Sequence, residues 1–284
     1  MRRASILAVL AENPAGIAPT TLRWSSRLLA GTVWASASLF GLYILAFYAL
    51  ASLSGEMARW NRVLPELFVR GGSVGNVGMA LHFLGGGLLL VLGSIQFITP
   101  LRDALPRLHR WTGRLYVASA ALAGIGGLLF IGVRGTVGGW VMDVGFAGYG
   151  LLTLLAAAQT ARYAIARDLD THRAWAVRLY ALAIGSWLYR MDYGFWILLT
   201  DGLGHADGFR GPFDYVMDFA FYLPNLAIAE LYLRRDERAP PAWLAVVGSL
   251  AMLVATGFVL LGSYFFALHY WLPGIGVGIG AVPG

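Results

Sequence analysis

Cysteine and lysine are both absent from this chain. Without cysteine there are no disulfides, no thiolate metal sites and no thiol nucleophile. Without lysine all 21 basic side chains are arginine. Charge itself is scarce: 13% of the residues are charged against 58% hydrophobic, and the mean hydropathy is +0.66. A water-soluble globule of this size needs more polar surface, so the composition excludes that class and points to a membrane protein. The net charge of +6 comes from dispersed arginines, not from one clustered basic face, which argues against nucleic acid as a partner. Also missing are a phosphate loop, an HExxH zinc motif and a Gly-x-Ser-x-Gly elbow. Gly274-Ile275-Gly276-Val277-Gly278 has the glycines of a dinucleotide fingerprint but neither the following helix nor the acidic partner.

What the chain does have is long apolar runs. A span needs roughly 20 apolar residues, and seven stretches qualify: about Gly31 to Leu53, Asn76 to Thr99, Leu115 to Val133, Val141 to Ile165, Ala174 to Thr200, Tyr215 to Leu233 and Ala242 to Leu268. Their continuity fits helices, since barrel strands alternate polar and apolar residues. The fold class is therefore all-α, a polytopic transmembrane bundle of about seven spans. The sixth stretch is the weakest, being short and interrupted by Pro224-Asn225. With the N-terminus inside, inner segments hold fifteen arginines and outer segments five. That bias places the N-terminus in the cytoplasm and the C-terminus outside a bacterial inner membrane. The resulting organisation is an N-terminal cytoplasmic tail, interfacial or disordered, over 1–30, a first span with its outer loop over 31–75, a core over 76–235, and a last span with a glycine-rich outer tail over 236–284.

An internal repeat organises the core. His109-Arg110-Trp111-Thr112-Gly113-Arg114-Leu115-Tyr116 is echoed by His172-Arg173-Ala174-Trp175-Ala176-Val177-Arg178-Leu179-Tyr180, and a glutamine, Gln96 or Gln159, precedes each copy at the same distance. Two spans separate the copies, so both enter the bilayer from one side and imply a duplicated four-helix core with a parallel pseudo-two-fold axis. His109 and His172 would face each other across that axis, the arrangement in which two imidazoles ligate one haem iron. The plainer reading makes the boxes interfacial anchors, since arginine, tryptophan and tyrosine gather where the bilayer meets water. A substrate or proton site is the third.

Two further constellations stand out. In the second span, His82, Gly85, Gly86, Leu89, Gly93 and Gln96 recur at helical spacing, either for close helix packing or for a site around His82, with His205 or His269 as its partner. The repeat puts Gly145, not a second histidine, at the position equivalent to His82. Arg190 and Asp192 fall inside the fifth span, where an isolated charge is costly, so Asp143, Asp192 and Asp218 are expected partners for Arg190. Pro224 bends the sixth span and frees backbone carbonyls near Asn225. Glu230 lies at the inner end of that span, within reach of Arg234 or of the inner histidines.

The ordered set His82, Gln96, His109-Arg110 with Gly113-Arg114 and Tyr116, His172-Arg173 with Trp175 and Arg178, Arg190, Pro224-Asn225 and Ala229-Glu230 resembles the bacterial integral-membrane family with domain of unknown function 2306, over roughly residues 76–235. That resemblance implies a helical membrane core and carries no reaction with it. More distantly, histidines on a four-helix core are similar to those of b-type haem cytochromes of the ascorbate-reducible and ferric-reductase kind. Three functions stay open, and with them whether the chain is an enzyme. The first is an electron-transfer protein holding haem b at the inner end between His109 and His172, with Gln96, Gln159 and Glu230 around it, His82 as a further cofactor-binding candidate, and a quinone or another redox partner. The second is a proton- or anion-coupled small-solute transporter with a polar core of Arg190, Asp192, Asp218 and Asn225. The third is a non-catalytic membrane subunit or sensor whose partner is the lipid bilayer alone.

Overall fold

The computed structural model describes residues 14–234 and 240–280. The expectations for residues 1–13, Arg235, Arg238 and the last four residues of the glycine-rich tail lie outside the described residues. Among the described residues every regular element is helical: α1 Pro14–Tyr43, running through a π-helical turn Ile44–Ala49 into α2 Leu50–Leu53, then α3 Ser73–Gln96, α4 Thr99–Ala104, α5 Pro106–Arg134, α6 Trp140–Ala166, α7 Leu169–Ala183, α8 Gly185–Thr200, α9 Pro212–Ala220, α10 Leu223–Leu233, α11 Ala242–Phe266, a second π-helical turn Ala267–Trp271, and α12 Leu272–Gly278.

Among the described residues six helical stretches are long and apolar enough to cross a membrane: Thr20–Leu53, Ser73–Gly93, Pro106–Arg134, Trp140–Ala166, Pro212–Leu233 and Ala242–Gly278. The fifth expected span, 174–200, is built as two shorter helices, α7 and α8, that meet at Ile184. Tyr149 of α6 donates its hydroxyl to the Leu182 carbonyl at 3.0 Å, and Ser186 donates to Ala183 O at 3.4 Å. Side-chain hydroxyls that insert into a carbonyl ladder are a recognised cause of helix breaks. Pro224 interrupts the sixth expected span as anticipated: α9 ends at Ala220, α10 starts at Leu223, and Asn225 Nδ2 donates to Phe221 O at 2.9 Å. The first helix begins at Pro14, well before Gly31, so part of the stretch expected to be a tail is helical.

The chain divides into two compact units, 1–36 with 235–265, and 37–234 with 266–284. In the first, α1 and α11 are joined by small polar contacts of the kind that bind membrane helices. Ser249 Oγ lies 3.4 Å from Thr21 Oγ1, Ser25 Oγ 3.8 Å from Met252 Sδ, and Ser263 Oγ 2.5 Å from Ser36 Oγ. In the second unit, α3 and α5 approach almost backbone to backbone. A Cβ on Gly126 would fall 2.4 Å from the Gly78 carbonyl oxygen, and one on Gly85 2.6 Å from both Ser119 O and Ala123 N. The glycine-lined face of α3 is thus a helix-packing face, with Gly86 left outside it. Beside this pair, Tyr116, Ala120, Ala156, Ala157, Leu179 and Leu182 form the heart of a core that Tyr193, Met217, Phe221 and Tyr222 continue.

Candidate functional site

Two groups of polar side chains are held inside the second unit. One lies toward the end carrying the two His-Arg boxes, here the box end, and the other toward the opposite end, where the 201–211 loop joins α8 to α9.

The opposite group is built on α9. Asp214 and Asp218, one turn apart and so on one face, are both 0% exposed. Asp214 has four donors. Its Oδ1 accepts from the Tyr193 hydroxyl at 2.7 Å and lies 2.7 Å from His205 Nδ1, while Oδ2 accepts from the backbone N–H of Gly211 at 2.8 Å and of Ala206 at 3.1 Å. The loop can wrap the carboxylate because Gly204 takes a left-handed φ of 78° and because Gly211 lacks a side chain, whose Cβ would lie 2.1 Å from Gly204 O. His205 is 27% exposed at its side chain and forms the outward edge of the group.

Asp218 is treated in the opposite way. Both carboxyl oxygens are buried and neither has a hydrogen-bond partner among the described residues. Asp214 and Tyr189 are within electrostatic reach of it, and packed rings surround this region, with Tyr189 5.6 Å from Phe146, 5.2 Å from Phe221 and 4.7 Å from Tyr193 between centroids. Across from it, Gly145 of α6 sits so close that a Cβ there would be 2.5 Å from the Asp218 carbonyl oxygen. This explains why no histidine stands at position 145: any side chain would displace α9. A fully bonded carboxylate and an unbonded one therefore sit side by side.

Replacing Asp214 by asparagine tests its structural part. An amide offers one acceptor oxygen where four donors converge, so the variant should lose about 3 kcal/mol of stability, read as a lowered thermal midpoint in detergent. An unchanged midpoint would show that these bonds do not hold the loop.

At the box end, His109 and His172 occupy the first turns of α5 and α7 and are near enough to interact electrostatically. His172 Nδ1 lies 2.9 Å from the Thr160 carbonyl oxygen. Gln96 Nε2 donates to Thr112 Oγ1 at 2.7 Å, inside its own box. Gln159 Oε1 is buried without a partner. Glu230 joins the arginines and not the histidines: it forms an ion pair with Arg178 and a second, at 3.4 Å, with Arg234. Arg178 and Arg114 also stack on the tryptophans of their boxes, 4.8 Å from Trp175 and 5.2 Å from Trp111.

The remaining expected constellations are rearranged. His82 Nδ1 is 2.9 Å from the Ala123 carbonyl, and His205, a proposed partner for it, belongs to Asp214. Arg190 makes no ion pair among the described residues. It donates to Ser186 O at 2.8 Å and lies 5.0 Å above the Phe40 ring. Among its expected partners, Asp143 accepts from the Thr136 N–H at 2.6 Å, and Asp218 faces α6. Asp192 makes no ion pair among the described residues; two positions along a helix from Arg190, it points to a different side. Asn225 is spent on the Phe221 carbonyl. Of the expected polar core, Asp218 alone stands in the buried group. Sequence reasoning missed Asp214, Tyr193 and Tyr189; the available signal was the pair of aspartates at helical spacing after Gly211-Pro212.

Among the described residues no three histidine, aspartate or glutamate side chains converge as a metal site would require. No curated protein and no solved structure matches the chain. The model of one family does match, over residues 79–233, the stretch that holds both polar groups, and the chain belongs to that family of predicted membrane proteins with domain of unknown function 2306 (DUF2306).

Proposed function

We propose that the protein is a proton-translocating membrane carrier in which Asp218 takes up and releases the proton. The observation that carries this reading is the burial of both Asp218 oxygens without any partner. An ionised carboxylate left unpaired in an apolar interior is far more costly than its neutral acid. Asp218 is therefore poised to hold a proton, and intramembrane acids of this kind mark proton and ion pathways. Asp214, with its four donors, serves as the fixed negative charge, and His205 and Tyr193 connect the pair to the loop. The excess of arginine at the box end supports a cytoplasmic position for that end in a bacterial inner membrane, and in this reading the Asp214 loop faces outward. The test is proton entry into proteoliposomes, driven by a potassium diffusion potential and followed with an entrapped pH dye. Entry above that of protein-free vesicles supports the proposal, and equal rates refute it.

One observation favours a second reading, a b-type haem between His109 and His172. The Thr160 carbonyl engages Nδ1 of His172 and leaves Nε2 for iron, the usual support for a metal-bound imidazole. His109 and His172 would hold the group, which supplies one-electron chemistry when bound, and exchange with a quinone would go with it. A reduced-minus-oxidised absorption spectrum of protein from haem-replete cells decides: the reading expects a b-type signal that disappears in His109→Ala and in His172→Ala. A colourless wild type removes it.

A further inference from the structure

Besides the Asp218 carboxylate, three polar atoms on α5 and α6 are buried with no hydrogen-bond partner among the described residues: Tyr116 Oη, Ser119 Oγ and Gln159 Oε1. Tyr116 and Ser119 are 2% and 1% exposed, and at spacing i, i+3 they share one face of α5. The helix register brings Gln159 to the same level. Gly124 of α5 packs on Gly150 and Leu154 of α6, with a Cβ there 3.3 Å from Gly150 O and 2.9 Å from Leu154 Cγ. Because the two helices run in opposite directions, the path from Gly124 back to Tyr116 is close in length to the path from Gly150 on to Gln159. Small residues line this region, Ala120 on α5 with Ala156 and Ala157 on α6, in one cluster with Tyr116. Thr160, next to Gln159, is the residue whose carbonyl meets His172 at the box end.

Each hydroxyl here can donate and accept, and the amide oxygen can only accept. Left unmade, each such bond costs the folded state the desolvation of its group. The ligand that satisfies two hydroxyls and an acceptor within a few ångströms of small side chains is water, which typically makes about three hydrogen bonds when buried. No charged group is among the three, so neither an anion nor a metal ion fits.

We propose that Tyr116, Ser119 and Gln159 bind a small internal water cluster, which forms the box-end arm of the route to Asp218. Its place in that route rests on the proton reading; the water site itself does not. Only O–H bonds are made and broken in passing a proton along it: each water or hydroxyl oxygen accepts one proton as it releases another, while Gln159 Oε1 only accepts a hydrogen bond and holds the water in place.

X-ray radiolytic footprinting with mass spectrometry tests the site, because radicals generated from bound water oxidise a buried side chain beside it. Phe40, 1% exposed among other rings, is the internal control. In the purified wild type Tyr116 should be oxidised while Phe40 is spared, and the labelling should be lost in Ser119→Ala/Gln159→Leu. Protection of Tyr116 equal to that of Phe40 in the wild type overturns the water site without recourse to any variant, as does labelling that persists in the double variant. Proton entry measured on the same preparations separates the two ideas: a labelled wild type that conducts no protons overturns the route and leaves the water site standing.

Discussion

Proton entry into proteoliposomes carrying Asp218→Asn is expected to fall to the level of protein-free vesicles, with the thermal midpoint of the solubilised protein close to that of the wild type. The two halves of this expectation come from the same geometry. Asparagine has nearly the shape of the protonated acid, and the Asp218 oxygens make no hydrogen bonds that the amide would forfeit. What it cannot do is gain or lose a proton at neutral pH. A structural role would give the opposite pattern, since stability would fall first and flux only with it. Asp214→Asn provides that contrast on the same helix, because there the carboxylate holds four donors. A wild-type rate in Asp218→Asn would show that the proton passes elsewhere.

The second large effect concerns the α3–α5 pair. Gly126→Leu should prevent accumulation of folded protein or lower its thermal midpoint by an amount corresponding to more than about 3 kcal/mol. A Cβ at that position already falls 2.4 Å from Gly78 O and 2.6 Å from His82 N. Both are backbone atoms, so no rotamer change relieves the overlap and the helices must separate. Separation would carry His82 away from the Ala123 carbonyl, which it meets at 2.9 Å. Gly132→Leu on the same helix is the matched control: nothing lies within 4 Å of its Cβ position, and its stability should be unaffected. Equal behaviour of the two variants would contradict the packing assigned to Gly126. The comparison is best made by fluorescence-detected size-exclusion chromatography and thermal unfolding.

Much of the architecture was legible because the bilayer constrains it so strongly. Runs such as Leu115 to Val133 and Val141 to Ile165 can be little else than spanning helices, and they recur as α5 and α6. The break at Ile184 was passed over although Gly185-Ser186, a pair that favours kinks, stands beside it; the break also coincides with a hydroxyl that α6 supplies, Tyr149 reaching Leu182 O. Pro224 marked the other break directly. Of the two readings the sequence left open for the glycines of α3, Gly85 takes the packing one and Gly86 does not, and the partner surface on α5 depended on helix register. For the polar groups the sequence was a weaker guide. It singled out Arg190 for its depth, and a side chain that long answers its charge locally, on Ser186 O and the Phe40 ring. It passed over Asp214, whose role depends on a loop folding back to present two backbone N–H groups. Asp218 was selected as a partner for Arg190. Its distinguishing property, the absence of any partner, belongs to the packed structure and cannot be read from composition or spacing.

The most direct test of the central claim is the infrared difference spectrum of the purified protein between acidic and alkaline solution, recorded for the wild type and for Asp218→Asn. The account predicts a carbonyl band of a protonated carboxylic acid that shifts on transfer to heavy water and is missing from the variant. Identical spectra from the two proteins would contradict it.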